Sequence, residues 1–197
     1  LKKSFKHWDV YVTPQLNDEE YRRNVEWNHM IAELNINESS DLHLATSVRS
    51  FRTPKLAGFI KNMLDVNIEN AKTLYSEIKD IYPIKITRDL NKAKEWVKRQ
   101  SQGTTRYGLL ASSGGIRLKP SGIFVKNKIS VTDWFLNGKD DIRSSYFLED
   151  VVSEFDIQGL ELDYTLLAWD ADLRFDGNKW TYNEFVGNRW NKVNSET

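Results

Sequence analysis

The sequence contains no cysteine, which excludes disulfide bonds and thiolate metal sites and is compatible with a reducing cytoplasm. It also lacks any continuous apolar run near the roughly 18 residues that span a bilayer, so we expect no membrane partner. Residues 1–7 are basic and have no apolar core of a signal peptide. They begin without methionine, so we expect the chain to be a fragment of a longer protein. From the missing cysteine and signal peptide we expect that protein to be cytoplasmic.

The phosphate-binding motifs of a complete ATPase are absent as well. The 197 residues contain no Gly-x-x-x-x-Gly-Lys-Ser/Thr loop, and no Asp-Glu pair follows an apolar strand. The acids of residues 170–176 do not have the spacing of an EF-hand calcium loop. We therefore predict that this chain alone neither hydrolyses ATP nor binds a metal of its own.

The net charge of zero conceals a strong segregation of charge. Residues 88–128 contain ten Lys and Arg against two Asp and Glu, a net charge of +8. Residues 129–197 contain six against fourteen, a net charge of −8. This pattern predicts a basic surface for phosphates and a separate acidic one. The alternative is that the two segments pack together and neutralise each other.

Strands and helices alternate along the chain, which favours an α/β fold with a mainly parallel sheet and helices on both faces. Thr53-Pro54 is a favoured helix start, and Asp89 is placed to cap another helix. Asp176-Gly177-Asn178 predicts a small C-terminal β-hairpin. Residues 162–169 are almost all apolar, which predicts a strand covered on both faces. The other predicted helices cover residues 18–34, 68–80 and 90–101, and the other predicted strands lie within residues 5–16, 42–46, 84–87, 106–112 and 122–129.

Small residues follow the apolar strand of residues 106–112. Hydroxyls and paired glycines at this point place backbone N–H groups where a phosphate could approach, and two basic side chains add charge. The alternative is a flexible surface loop. The next aromatics, Trp134 and Phe135, are more often core residues than a base-stacking platform. The loop residues concerned are Ser112, Ser113, Gly114, Arg117 and Lys119.

Four carboxylates surround a turn near residue 159: Glu154, Asp156, Glu161 and Asp163. If the chain were extended here, the first two would share one face of a strand, as would the last two. A pair of carboxylates on one face is a geometry that binds Mg²⁺. A magnesium-dependent nuclease is therefore an alternative enzyme hypothesis.

Two segments resemble motifs of superfamily 1 helicases. Gln158-Gly159-Leu160-Glu161 resembles motif V, with Ser153 at the position of its Thr and Phe155 at that of its His. Arg49-Ser50-Phe51-Arg52 resembles motif IV, with Arg49 at the position of its Gln. The longer stretches 109–118 and 154–163 are more similar still to a bacterial branch, the Schlafen group 3-like DNA/RNA helicases.

The resemblance implies that residues 42–197 form the second RecA-like, P-loop NTPase-type motor domain (2A) of such an enzyme, without motif VI, and that residues 1–41 form a strand-and-helix appendage. In the full-length protein it implies ATP and Mg²⁺ as cofactors, with none bound to this fragment. The implied partners are DNA or RNA and a missing N-terminal motor domain that carries the P-loop.

Roles for individual residues follow from the same resemblance. Arg52 would reach the γ-phosphate of ATP, and Glu161 would bind the ribose. The remaining nucleotide-cleft residues would be Arg49, Gln158 and Gly159, and the nucleic-acid contacts would be Ser112, Ser113, Gly114, Arg117, Lys119 and Ser153. A third hypothesis is a non-enzymatic nucleic-acid or protein adaptor that retains a decayed motor fold.

Overall fold

The computed structural model describes residues 8–14, 36–42 and 54–193. At the N-terminal end, strand β1 (Val10–Val12) pairs in parallel with strand β2 (Ile36–Glu38), which a short 3₁₀-helix at Ser40–Leu42 follows. β1 confirms the strand predicted within residues 5–16. The predicted helix over 18–34 lies outside the described residues, as does the predicted strand over 42–46 except for its first residue, which ends the 3₁₀-helix.

Two neighbouring antiparallel helices come next, α1 (Pro54–Leu64) and α2 (Ile68–Ile78). α1 begins at the proline, as predicted, because proline has the backbone φ of a helix and its missing N–H is not needed in the first turn. The rings of Phe59 and Tyr75 lie 5.6 Å apart between the helices. Lys55 of α1 and Glu77 of α2 form an ion pair at 2.8 Å. Both predicted helices are thus confirmed, the second ending two residues early.

Helix α3 (Leu90–Gln100) leads into the centre of the fold. The Asp89 carboxylate accepts a hydrogen bond from the backbone N–H of Lys92 at 3.1 Å, the cap that the sequence predicts. The strand predicted over residues 84–87 does not form, and Ile86 is 96% exposed. No described strand pairs with this segment, so alternation over four residues does not by itself produce a strand.

The central sheet is parallel and has the order β4 (Val151–Val152), β3 (Tyr107–Ala111), β5 (Tyr164–Ala168). All five residues of β3 are buried, because both faces of this strand are covered. α3 packs on one face, and helix α4 (Val131–Leu136) packs on the other through the fully buried Trp134. The predictions of a buried strand over 106–112 and of Trp134 and Phe135 as core residues are confirmed.

β5 is covered on one face only, so the prediction of a strand covered on both faces is wrong. Leu166 is buried under α3, whereas Leu167 is 56% exposed and Thr165 is exposed too. The reason is the reach of α4, whose contacts lie over β3 and β4. At this strand, a nearly continuous apolar sequence does not mean that both faces are buried.

Gly108 allows α4 to approach the sheet closely. A Cβ atom at this position would lie 2.5 Å from two ring carbons of Trp134. The connection from β3 to α4 contains a 3₁₀-helix, Ile116–Ser121, and then irregular chain in which only Ile123 is buried. The hairpin arm predicted over 122–129 is wrong, because these residues pair with no strand.

A third sheet, antiparallel, ends the described chain with strands β6 (Leu173–Phe175), β7 (Trp180–Val186) and β8 (Arg189–Lys192). The predicted hairpin is confirmed. Asp176 accepts hydrogen bonds from the backbone N–H groups of Asn178 and Lys179, and Gly177 has a φ of +100°. β8 was not predicted. Mixed helix and strand with a parallel central sheet is thus the confirmed part of the fold prediction.

Candidate functional site

Three loops meet at one edge of the central sheet. Residues 112–115 follow β3, residues 153–159 follow β4, and residues 169–172 follow β5. Because the three strands are parallel, their carboxyl ends lie side by side. This edge is where open α/β sheets bind ligands. The loops contain most of the residues that the sequence singles out.

The first two loops are joined by Ser113 and Glu154. The backbone N–H of Ser113 donates to Oε2 of Glu154 at 2.8 Å, and its hydroxyl donates to Oε1 at 2.7 Å. Burial raises the pKa of the Glu154 carboxyl, but the hydrogen bonds from Ser113 outweigh it, and the net pKa lies below the usual 4.5. We call this pair the Ser113–Glu154 clamp.

The third loop, residues 169–172, contacts the part of the chain that follows Ser113. Asp170 accepts a hydrogen bond from the backbone N–H of Arg117 at 3.2 Å. A Cβ atom on Gly114 would lie 3.2 Å from Oδ2 of Asp172, and one on Gly115 would lie 3.1 Å from the carbonyl oxygen of Ser112. The N–H groups predicted to face a phosphate are therefore engaged from within: those of Ser113 and Arg117 donate to carboxylates, and those of Gly114 and Gly115 donate to the hydroxyl and the carbonyl oxygen of Ser112.

The loop after β4 has its own cap. Asp156 accepts hydrogen bonds from the backbone N–H of Ser153 at 2.8 Å and from its hydroxyl at 2.7 Å. The backbone N–H of Leu160 then donates to Ile157 at 2.9 Å, which closes a turn with Gly159 in the third position. The φ of Gly159 is +88°, a conformation that strongly favours glycine. The glycine of the motif thus has a local structural reason.

The remaining motif V side chains point outward. Gln158 and Glu161 are exposed and form no hydrogen bond or ion pair in the described part of the chain. Arg49 and Arg52 lie outside the described residues, so their expected place at the nucleotide cleft stays a prediction. Ser153 is buried beneath the loop that it begins.

The extended geometry required by the nuclease hypothesis is wrong. β4 ends at Val152 and β5 begins at Tyr164, so none of the four carboxylates lies in a strand. Glu154 and Asp156 are bound by serines, and Asp163 accepts from the backbone N–H of Arg106 at 2.7 Å. Within residues 8–14, 36–42 and 54–193, no group of three or more His, Asp or Glu side chains has a metal-binding arrangement.

Arg117 lies over the antiparallel sheet. Its guanidinium carbon is 5.1 Å from the ring centre of Phe185 and 5.8 Å from that of Trp190. Arg174 approaches Trp190 more closely, at 4.4 Å. These stacked contacts fix the loop after β3 against the hairpin.

Some of the basic side chains of residues 88–128 bind other parts of the fold and are not available to a ligand. The Arg106 guanidinium donates to the carbonyl oxygen of Asn137 and the hydroxyl of Ser145, both at 3.2 Å, and lies 4.6 Å from the ring centre of Tyr146. Lys94 pairs with Glu149 of the acidic segment at 3.1 Å. Neutralisation between segments is therefore partial. Six bases of the segment are exposed and form no ion pair with a described residue: Arg88, Lys98, Arg99, Lys119, Lys126 and Lys128.

The model of one protein family matches almost the whole chain. Its description is Schlafen group 3, DNA/RNA helicase domain, and the match covers residues 13–197. The chain belongs to this family. Comparisons with curated proteins and with solved structures found no match. Membership in the Schlafen group 3 family confirms the helicase resemblance at the level of the domain family.

The structure adds residues that sequence reasoning missed. Glu154 was considered only as a metal ligand, and its pairing with Ser113 joins positions 41 residues apart. Asp170 was considered only as a calcium ligand and Trp169 only as the end of a strand, although their place at the end of an apolar strand was a usable signal. None of the helices in the described ranges combines the length and apolar character needed to cross a bilayer.

Proposed function

We propose that this chain is the second RecA-like motor domain of an ATP-dependent DNA/RNA helicase or translocase, with the domain beginning near residue 42. The family membership supports the class. The observation that supports the motor role most is the meeting of the loops after β3 and β4 at one carboxyl edge, joined by the Ser113–Glu154 clamp. One loop carries the nucleotide motif and the other the predicted nucleic-acid contacts, so the clamp connects the two functions.

In this proposal the chain completes an ATP site whose P-loop and Mg²⁺ ligands belong to another domain. Arg52 supplies positive charge to the γ-phosphate during phosphoryl transfer, and Arg49 contributes to nucleotide binding. Glu161 binds the ribose hydroxyls. The exposed Gln158 and Glu161 fit this role, because neither has a hydrogen-bond or ion-pair partner among the described residues to give up. Gly159 holds the turn that presents them.

The nucleic-acid track runs along the neighbouring loop. Ser112, Ser113 and Gly114 line it, with Ser153 beneath, and Arg117 and Lys119 supply charge. The positive surface is extended by the six exposed Lys and Arg side chains of residues 88–128 that form no ion pair with a described residue. Binding to a phosphate backbone by such a surface weakens steeply as salt concentration rises.

The test uses phosphate release in a protein that carries this chain behind a P-loop domain. Arg52→Ala is expected to reduce nucleic-acid-stimulated ATP hydrolysis about 1,000-fold or more while leaving oligonucleotide affinity unchanged. Lys85→Ala, which removes an equal charge from an exposed side chain outside both motifs and outside residues 88–128, is the matched control. The 197-residue chain alone is expected to give no turnover. Unchanged hydrolysis in Arg52→Ala would instead favour the adaptor hypothesis.

A further inference from the structure

We propose that the outer face of the antiparallel sheet, together with Trp169, stacks the bases of single-stranded nucleic acid; the inference rests on the proposed function and gives it a base-binding site. The strand register pairs Phe175 with Trp180 and Leu173 with Tyr182. Alternation along β7 then places Phe175, Trp180 and Tyr182 on one face. With Trp169 these residues form what we call the aromatic platform.

The rings of the aromatic platform are held in place. Ring centres of Trp169 and Trp180 lie 6.0 Å apart, and those of Phe175 and Trp180 lie 5.4 Å apart. The indole N–H of Trp180 donates to the carbonyl oxygen of Met63 at 3.1 Å, and that of Trp169 to Leu173 at 2.8 Å. Both indole N–H groups are thus satisfied by the backbone, so the rings need no further polar partner.

The ring surfaces remain available. Trp169 is 48% exposed, Phe175 is 45% exposed and Tyr182 is 54% exposed. Single exposed apolar residues are common on protein surfaces, but a group of neighbouring exposed aromatic side chains often marks a binding site. Rigid, half-exposed rings stack bases at little cost in side-chain entropy.

The opposite face of the same sheet shows the contrast. Phe185 and Trp190 lie there, and the guanidinium groups of Arg117 and Arg174 cover them. This face therefore packs against the loop that follows β3. On the other face, Trp180 is half-buried and its indole N–H reaches α1, whereas Phe175 and Tyr182 remain about half exposed.

The position of the aromatic platform favours bases as the occupant. Trp169 directly follows β5 at the edge where the three loops meet, and the next residue, Asp170, binds the backbone of Arg117. The platform is therefore continuous with the proposed nucleic-acid track. Arg189 shares the platform face, since it pairs with Val186. Glu184 lies on this face too, so we expect stacking to contribute more than charge.

The test compares two oligomers of equal length, an oligothymidylate and an abasic strand with the same phosphates, by fluorescence anisotropy. Trp169→Ala and Tyr182→Ala are each expected to weaken oligothymidylate binding about five-fold or more and to leave abasic-strand binding unchanged. Trp169→Phe should retain most of the affinity. Tyr11→Ala, which removes an aromatic ring that is 61% exposed on β1, is the matched control.

The outcomes separate this inference from the proposed function. If the unmodified chain binds neither oligomer, the proposed track fails and the platform with it. If it binds both and the variants bind oligothymidylate normally, the track stands and the platform is overturned. Equal weakening for both oligomers also overturns it. Self-association that Trp169→Ala abolishes, with oligothymidylate binding intact, would make this face a contact between copies of the chain and overturn the proposal.

Discussion

Ser113 and Glu154 form a two-point contact between the loops that follow adjacent parallel strands, through an N–H and a hydroxyl donated to one carboxylate. Paired donors of this kind are also what a phosphate group would require. The loop after β3 thus has its anion-binding donors occupied from within. A displacement of one loop must either carry the other with it or break both hydrogen bonds.

We predict that Glu154→Gln destabilises the chain at neutral pH. The amide can accept through one oxygen only, so one of the two hydrogen bonds from Ser113 is lost. Because the pKa of Glu154 in the folded chain lies below the usual 4.5, its contribution to stability is present above that pH and is lost as the pH falls through the lowered value. Thermal unfolding followed by circular dichroism from pH 7 downward should show the two chains converge.

Glu95→Gln is the control for the clamp, because Glu95 is exposed on α3 and forms no hydrogen bond with the described residues. It should leave the melting temperature unchanged over the same pH range. A constant difference between Glu154→Gln and the unmodified chain at every pH would contradict the charge-dependent account.

Gly108→Ala should destabilise the fold by about 1–3 kcal/mol, the usual cost of overpacking a core. The added methyl group would meet the ring of Trp134, which is fully buried and cannot move aside. Chemical denaturation measures the difference. Gly138→Ala is the matched control, because a Cβ there meets no atom within 4 Å. Equal midpoints for the two variants would refute the close approach of α4 to β3.

Arg106→Lys should cost about 1.5–3 kcal/mol of stability, because an ammonium group cannot reproduce the hydrogen bonds from the guanidinium to Asn137 and Ser145. It should not alter the salt dependence of oligonucleotide binding. Lys119→Ala should do the reverse: its stability stays the same, and the slope of log affinity against log salt falls by about one. A changed slope for Arg106→Lys would place its guanidinium on the track.

Gly159→Ala should lower stability by about 1 kcal/mol, because a φ of +88° is strained for any residue with a Cβ. In a protein with the P-loop domain it should also reduce ATP hydrolysis, since Gln158 and Glu161 are presented by this turn. Asparagine tolerates positive φ better, so Gly159→Asn should recover part of the loss. An alanine variant as stable and active as the unmodified chain would show that the turn plays no part.

Elements with local signals were predictable from the sequence. Pro54 and Asp89 mark helix starts through chemistry contained within one turn, and Asp176-Gly177-Asn178 marks the hairpin in the same way. The coverage of β5 was not predictable, because it depends on how far α4 reaches across the sheet. The prediction of a strand at residues 84–87 was wrong for a related reason. A four-residue pattern does not show whether another strand is available to pair with it.

The residues of the candidate site could be predicted from the sequence, but the contacts between them could not. Ser113 and Glu154 were both selected, one for phosphate and one for metal, yet each is the partner of the other. Sequence distance hides such a pair, since parallel strands bring together loops that are far apart along the chain. Trp169 was read only as the end of a strand, although its ring lies at the edge where the site forms.

The central strand has both of its partners later in the chain. β3 pairs with β4 and β5, and the backbone N–H of Arg106 meets Asp163 across 57 residues. Contacts of such long range slow folding, because the intervening chain must close before any of them forms. During synthesis the apolar Tyr107–Ala111 segment emerges from the ribosome well before Ala168. Until then this buried strand has neither of the strands with which it pairs, so we expect the partly synthesised chain to be prone to aggregation.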